Sequence, residues 1–129
     1  MELIVDEKKD GLVYVTVSGG IKQKQLNDMD QHLRSAIGED VYNQKVLVDL
    51  SQNDYIDSTG ISWLLICHKH FKESGGRMVL HSIPRIVEDV LKILKLELVF
   101  HIAPDKDSGT VLATQELPDD DDQTEEADN

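Results

Sequence analysis

The fold of this chain is decided by residues 46–65, VLVDLSQNDYIDSTGISWLL. An apolar run rich in β-branched residues ends before Ser51, a polar turn follows, and a helical apolar pattern begins just after Gly60. A strand that is apolar on both sides is typical of a parallel sheet covered on both faces. Ser58 and Thr59 therefore lie between a buried strand and a helix, at the sheet edge where open α/β proteins usually place functional groups.

Strand and helix patterns alternate on both sides of this stretch. Residues 8–11 carry a hairpin signal, Gly75 and Gly76 supply the left-handed residue that commonly ends a helix, and Pro84 fits a first helical turn. The order predicts an α/β domain over residues 1–117, with a mixed, mostly parallel sheet of four to five strands, about four helices and an N-terminal hairpin. Strands are predicted at 3–5, 12–17, 46–50, 78–83 and 98–102, and helices at 22–37, 60–73, 84–96 and 107–117.

Two of these helices have a clear apolar face. In the helix at 22–37 that face is expected to carry Leu26, Met29, Leu33, Ala36 and Ile37. Trp63, near the start of the helix after Gly60, has two open interpretations: an exposed anchor for a partner, or a core residue. The residues expected to be buried in that helix are Ile61, Leu64, Leu65, His68 and Phe71.

Length and composition predict one soluble, cytoplasmic domain. A chain of 129 residues that is 40% apolar can bury one core but not two. No apolar run approaches the roughly 18 residues of a membrane span, and the N-terminal residues do not resemble a secretory signal. The single cysteine, Cys67, cannot form an internal disulfide, which fits a reducing compartment.

The formal net charge of -12 argues against nucleic acid or an anionic membrane as a direct partner. Much of this charge lies at the C-terminus, where residues 118–129 contain acids but no base. Because these residues have almost nothing apolar to bury, they are predicted to form a disordered tail. A solubilising role for the tail is favoured over guidance of a basic partner.

Ser58 admits two compatible interpretations. A serine at a helix start can cap the helix, since its oxygen accepts a hydrogen bond from the first turn, worth roughly 1 kcal/mol. An exposed hydroxyl held at a helix start between Asp54 and Asp57 is also suited to phosphorylation. The helix N-terminus would tolerate the phosphate, while the two carboxylates would repel it. A phosphorylation switch at Ser58 is therefore the second interpretation that these residues support.

The sequence DSTG at 57–60, after a strand and Ile56, resembles the signature of the STAS domain (sulphate transporter and anti-sigma factor antagonist). It is most similar to the anti-sigma factor antagonist branch of that family. The helix at 60–73, the glycines at 75–76, the strand RMVLH from Arg77 and the helix from Pro84 follow in the family's order and spacing. The resemblance covers roughly residues 8–116 and implies the STAS fold.

The resemblance also implies a function and partners. It implies a protein that binds an anti-sigma factor which is also a serine kinase, and thereby frees a sigma factor for transcription. That kinase, using ATP that it binds itself, would phosphorylate Ser58, with Thr59 the lesser candidate, and a PP2C-type phosphatase would reset the switch. The protein itself is expected to be a monomer or weak dimer without enzymatic activity, cofactor or metal.

The predicted partner surface lies at the sheet edge after strand 46–50, because the turns that follow neighbouring parallel strands meet there. The turns at 19–22 and 83–85 are expected beside it. An acidic rim carrying hydroxyls suits a basic partner. The residues assigned to this surface are Asp54, Asp57, Ser58, Thr59, Gly60, Trp63, Gly20 and Ile21.

One departure from the resemblance motivates an alternative. Antagonists of this family usually carry an acidic residue and then an aspartate where this chain has Gly20 and Lys22. The alternative keeps the fold but drops the kinase cycle: a non-phosphorylated STAS subunit of a stressosome-like or lipid-transport complex. 

A small hydrolase or nucleotide-binding protein is the least favoured reading. No Gly-x-Ser-x-Gly elbow or phosphate-binding loop occurs, and Gly19–Gly20 alone is no dinucleotide fingerprint. His68 and His70 are two residues apart, which does not match the spacing of a zinc pair on a helix.

Overall fold

The computed structural model describes residues 1–20 and 22–116, which form one five-stranded sheet with helices on both faces. The sheet order follows the chain, with β1 antiparallel to β2 and the other neighbours parallel. The strands are β1 (Glu2–Lys9), β2 (Leu12–Ser18), β3 (Lys45–Asp49), β4 (Arg77–His81) and β5 (His101–Ala103). The helices are α1 (Gln23–Asn27), α2 (Met29–Ala36), α3 (Ser58–Ser74), α4 (Arg85–Ile93) and α5 (Lys106–Thr114).

The hairpin between β1 and β2 has a two-residue turn. Asp10 and Gly11 both have positive φ, 55° and 80°, which is the backbone requirement of the type I′ turn that suits twisted antiparallel strands. The expected hairpin and the mixed, mostly parallel sheet are therefore confirmed.

Alternation along the strands divides the core into two layers. On β3, Val46 and Val48 belong to the larger cluster, with α2, α3 and α4, while Leu47 belongs to the smaller cluster beside α5. All three side chains are at most 3% exposed. This explains why the strand has no polar face: each side is covered by helices.

The last helix is held close to the sheet by two features. A Cβ on Gly109 would lie 3.1 Å from Leu47 Cδ2, so the glycine permits a close approach of α5. Arg77 Nη1, at the start of β4, donates to the carbonyl oxygens of Leu112, Ala113 and Gln115 at 2.9–3.0 Å. These bonds satisfy carbonyls that the helix C-terminus would otherwise leave unpaired.

Several predicted boundaries were wrong. The helix expected at 22–37 is interrupted at Asp28, a residue type that favours caps over helix interiors. Helix α4 ends at Ile93, before a 3₁₀ turn at Leu96–Leu98, and β5 has only three residues. The predicted tail at 118–129 lies outside the described residues. Within the described ranges, no helix is long and apolar enough to cross a membrane.

The two glycines after α3 have different roles. Gly75 has φ 89°, and no atom lies within 4 Å of the position that a Cβ would occupy. Gly75→Ala should therefore lower the unfolding free energy by about 1 kcal/mol through backbone strain alone. A Cβ on Gly76 would overlap the carbonyl oxygens of Tyr42 and Gln44, so Gly76→Ala should cost at least roughly 2 kcal/mol. Urea denaturation of both variants measures the difference, and equal losses would contradict the steric argument.

Candidate functional site

The candidate site lies at the carboxyl edge of the sheet, where three loops meet. Strands β2, β3 and β4 are parallel and in register, with Thr16 opposite Asp49 and Asp49 opposite His81. Because the strands end at nearly the same level, the loops that follow them emerge at one edge. Gly20, Asp57 and Val87, which follow the three strands, line one small cavity there. The turn after β2 and the loop after β3 therefore lie together, as expected, whereas beyond β4 the cavity is lined by Val87 of α4 and not by the turn at 83–85.

The first part of the loop between β3 and α3 is fixed by hydrogen bonds. Asp49 Oδ1 accepts a bond from the Ser51 N–H at 2.8 Å, and the Asn53 N–H donates to the Leu50 carbonyl at 2.9 Å, which closes a turn. The Asn53 side chain also donates to the carbonyl of Val17 at the end of β2. This bond ties the loop to its neighbour, so the segment before Ser58 has a defined position.

Helix α3 is capped by Asp57 and not by Ser58. Asp57 has extended backbone angles, and its Oδ1 accepts a bond from the Gly60 N–H at 2.9 Å. Ser58 occupies the first helical position and is exposed, while Thr59 is half-buried. The interpretation of Ser58 as the N-cap was wrong, because the aspartate one residue earlier already performs that role. The Ser58 hydroxyl is therefore not needed to cap α3.

Gly60 has a packing role that the sequence did not indicate. The residue is buried, and a Cβ there would lie 2.9 Å from Ile56 Cγ1. Gly60 therefore lets Ile56 fold back over the first turn of α3. Its predicted place on the partner surface does not agree with this burial.

Trp63 is a core residue, so the prediction of an exposed anchor was wrong. The side chain is 2% exposed and packs in the larger cluster. Its neighbours on the buried face of α3 are Leu64, Cys67 and Phe71, whereas Ile61, Leu65 and His68 are only half-buried. The face of α3 that is buried is therefore rotated about the helix axis from the expected face, toward Trp63 and Cys67.

Ile21, also assigned to the partner surface, lies outside the described residues.

A residue that the sequence analysis missed covers the mouth of the site. Tyr55 is 58% exposed, and its hydroxyl oxygen lies 2.8 Å from the position that a Cβ on Gly20 would occupy. The ring therefore occupies space that a side chain at position 20 would need. Exposed aromatic rings at the rim of a pocket are frequent anchors in protein interfaces. The sequence feature that could have indicated this role is the presence of an aromatic residue, Tyr55, in the otherwise polar turn 51–57.

The cavity below Tyr55 is small and mostly apolar in its lining. Its volume is about 30 Å³, which is enough to hold a water molecule. Pockets for nucleotides and other small molecules are about tenfold larger. Residues 1–20 and 22–116 also contain no group of three or more histidine, cysteine or acidic side chains able to hold a metal ion. The exposed polar groups of the site are Asp54, Asp57 and Ser58.

A hydroxyl and an imidazole meet at the end of β4, but the imidazole is not accessible. Ser82 Oγ lies 2.8 Å from His81 Nδ1, and His81 is 3% exposed. Burial lowers the pKa of His81 below its ordinary value of 6.5, an effect that the adjacent Asp49 opposes. The pair therefore contributes to structure at this edge, with the neutral ring favoured.

The two residues at the start of α3 should differ in their effect on stability. Asp57→Ala removes the cap and should lower the unfolding free energy by about 1 kcal/mol, whereas Ser58→Ala should change it by less than about 0.5 kcal/mol. Asp57→Asn, which keeps an acceptor oxygen, should recover most of the loss. Chemical denaturation measures all three variants, and a larger loss in Ser58→Ala than in Asp57→Ala would refute the assignment of the cap.

His81 should make stability depend on pH. Because its pKa is lower in the folded chain than the unfolded value of 6.5, the unfolded chain binds the proton first as pH falls. The stabilisation is therefore complete above about pH 6.5 and is lost as pH falls through the folded pKa. Between about pH 7.5 and pH 5.5, His81→Gln should show a smaller decline in unfolding free energy than the parent chain. Parallel declines in the two proteins would show that His81 does not cause this dependence.

Comparisons with known proteins agree with this architecture. A family model described as the STAS domain matches residues 4–109. A Bordetella bronchiseptica protein named as the anti-sigma factor antagonist BtrV is 25% identical over 118 residues, which cover 92% of this chain and 99% of the relative. 

Solved structures with the same fold extend this similarity. A crystal structure named as that of an anti-sigma factor antagonist from Thermotoga maritima has a TM-score of 0.73 at 19% identity, covering 84% of this chain and 92% of the other. The structure of the anti-sigma factor antagonist SpoIIAA in its unphosphorylated form has a TM-score of 0.61 at 11% identity, covering 85% and 94%. At these identities the structural similarity shows the shared fold.

Proposed function

The chain belongs to the STAS domain family, and we propose that it is an anti-sigma factor antagonist whose binding is controlled by phosphorylation of Ser58. The observation that carries this proposal is the position of Ser58, exposed at the first helical residue of α3, directly after Asp57. In the proposed cycle the unmodified chain binds an anti-sigma factor that is also a serine kinase. The kinase then phosphorylates Ser58, and a PP2C-type phosphatase restores the unmodified form.

The geometry favours Ser58 over Thr59 as the acceptor. Ser58 is exposed, whereas Thr59 is half-buried in the first turn of the same helix. A kinase must bring the hydroxyl into its own active site, which requires that the acceptor protrude from the domain. The Asp57 cap holds the backbone at this point, so the hydroxyl is presented at a fixed place.

Electrostatics supplies the switch without a change of fold. A phosphate adds nearly two negative charges at neutral pH, beside the exposed carboxylates of Asp54 and Asp57. A basic partner surface could accept the two carboxylates, but a phosphodianion in a desolvated interface formed around an unmodified hydroxyl would be costly. The positive end of α3 stabilises the phosphate in the free protein, which further favours the dissociated state.

Tyr55 adds an apolar contact to the proposed surface. The ring is 58% exposed, follows Asp54 in the loop, and places its hydroxyl next to Gly20 on the neighbouring loop. Trp63 cannot take this role because it is buried. We therefore assign the aromatic contact with the partner to Tyr55, alongside the electrostatic contact of Asp54 and Asp57.

The proposal is tested by the affinity of the chain for its kinase partner, measured by calorimetry. Ser58→Asp should weaken binding at least about tenfold, which corresponds to about 1.4 kcal/mol, while Ser58→Ala should bind as the unmodified chain does and resist phosphorylation. Asp57→Asn preserves an acceptor for the cap, so any loss of affinity in that variant reports the charge. Thr59→Ala should remain a substrate of the kinase.

Lys69→Ala provides the control, because Lys69 is exposed on α3 three turns away from Ser58. It should leave affinity unchanged. Equal affinities of Ser58→Asp and the parent chain would reject the charge switch. That result would instead support the alternative function, a STAS subunit that binds constitutively in a larger complex. The residues that motivate this alternative are Gly20 and Lys22.

A further inference from the structure

One side chain in the lining of the cavity below Tyr55 carries a buried donor without a partner. Trp63 is 2% exposed, and its Nε1 makes no hydrogen bond to any residue that the structure describes. The indole N–H only donates, so it needs an acceptor atom close by. A buried donor without an acceptor loses its hydration and gains nothing in return, which is why such groups are rare in folded proteins. The unpaired N–H therefore indicates that the cavity holds a ligand.

Helix geometry directs the indole toward this cavity. Long side chains of a helix lean toward its N-terminus and cover the preceding turn. From position 63 of α3, the ring therefore extends over the first turn of the helix. Asp57 and Gly60, at that end of α3, line the cavity together with Trp63. The unpaired donor and the cavity therefore lie at the same end of the helix.

The other polar side chains in the lining are not paired with Trp63. Asn53 donates to the carbonyl of Val17, and Asp57 Oδ1 accepts a bond from the Gly60 N–H at 2.9 Å. Both side chains are thereby held in place by the backbone of neighbouring elements. The acceptor for the indole N–H therefore comes from outside the described residues.

The size and charge of the cavity define the class of ligand. Its volume is about 30 Å³, and roughly 10–15 Å³ is enough for one water molecule. The walls are mostly apolar and include Val17, Leu50 and Leu64. An anion would lose its hydration between these walls and would be repelled by the carboxylate of Asp57. The cavity therefore suits a small neutral molecule with an acceptor oxygen, and water has the size that fits. 

We propose that this cavity is a hydration site, in which a bound water molecule accepts a hydrogen bond from Trp63 Nε1 and Tyr55 is the cover. Waters inside proteins usually make about three hydrogen bonds to polar groups that lack other partners. The carboxylate of Asp57 has lone pairs beyond the one used by the Gly60 N–H, so it is available to accept a bond from the same water.

The cover depends on the glycine at position 20. A Cβ on Gly20 would lie 2.8 Å from the Tyr55 hydroxyl oxygen, so a larger residue there would displace the ring. Gly20 and Tyr55 both line the cavity, and together they separate Trp63 from bulk solvent. The inference goes beyond the proposed function, since the hydration site belongs to the unmodified chain and requires neither a kinase nor a phosphate.

NMR of the full chain tests the proposal, because Trp63 is the only tryptophan and its indole N–H gives one unambiguous signal. In the parent chain this proton should show NOE and ROE cross-peaks to water that have opposite signs, which distinguishes a bound water from proton exchange. Tyr55→Phe keeps the ring and removes the one hydroxyl of the cover that could relay magnetisation from the solvent. The cross-peaks should persist in this variant, which should also keep the fold because Tyr55 is 58% exposed.

Hydrogen exchange of the same indole proton tests the cover. Tyr55→Ala should raise the exchange rate with solvent at least about tenfold, whereas Tyr55→Phe should leave it unchanged. Ile66→Ala is the matched control, because Ile66 is 37% exposed on α3, three residues after Trp63, and does not line the cavity. It should leave the rate unchanged.

Three results would overturn the proposal. An indole proton that exchanges slowly in the parent chain but shows no cross-peak to water would mean that the cavity is dry. Loss of the cross-peaks in Tyr55→Phe would assign them to the tyrosine hydroxyl. Equal exchange rates in Tyr55→Ala and the parent chain would show that Tyr55 is not the cover. Because neither Ser58 nor a partner is involved, these failures leave the proposed function untouched.

Discussion

The hydrogen bond from the Gly60 N–H to Asp57 Oδ1 determines where α3 begins, and the geometry of the candidate site depends on that position. With the cap at Asp57, Ser58 becomes the first helical residue and points away from the core. Ile56 can then cover the first turn, because Gly60 offers no Cβ to meet it. The segment 56–60 therefore exposes the hydroxyl of Ser58 while Ile56 packs against Gly60 beneath it.

The position of that segment depends in turn on contacts with its neighbours. Asn53 bonds to the end of β2, and Tyr55 fills the space left by Gly20 on the following loop. Neither contact could form unless the parallel strands ended at the same level, as their register ensures. The site therefore belongs to the sheet edge as a whole, although its chemistry comes from one loop.

Charge is the physical basis of recognition at the candidate site. The site edge exposes the carboxylates of Asp54 and Asp57 beside the hydroxyl of Ser58, an arrangement that suits the basic partner proposed for it.

The sequence by itself determined the order of strands and helices and the hairpin at Asp10–Gly11, because each depends on local pattern and turn chemistry. It also indicated Ser58 as the acceptor of the proposed switch, through the resemblance carried by residues 57–60. It did not determine that Asp57 is the cap, since several side chains near a helix start can accept the same bond and only the backbone angles select one. Nor did it place Trp63 in the core or Tyr55 over Gly20, because these depend on which side of α3 meets the sheet and on two loops that are distant in sequence. Packing between elements decides such contacts, and a pattern read along one chain contains no information about which side a neighbouring element will cover.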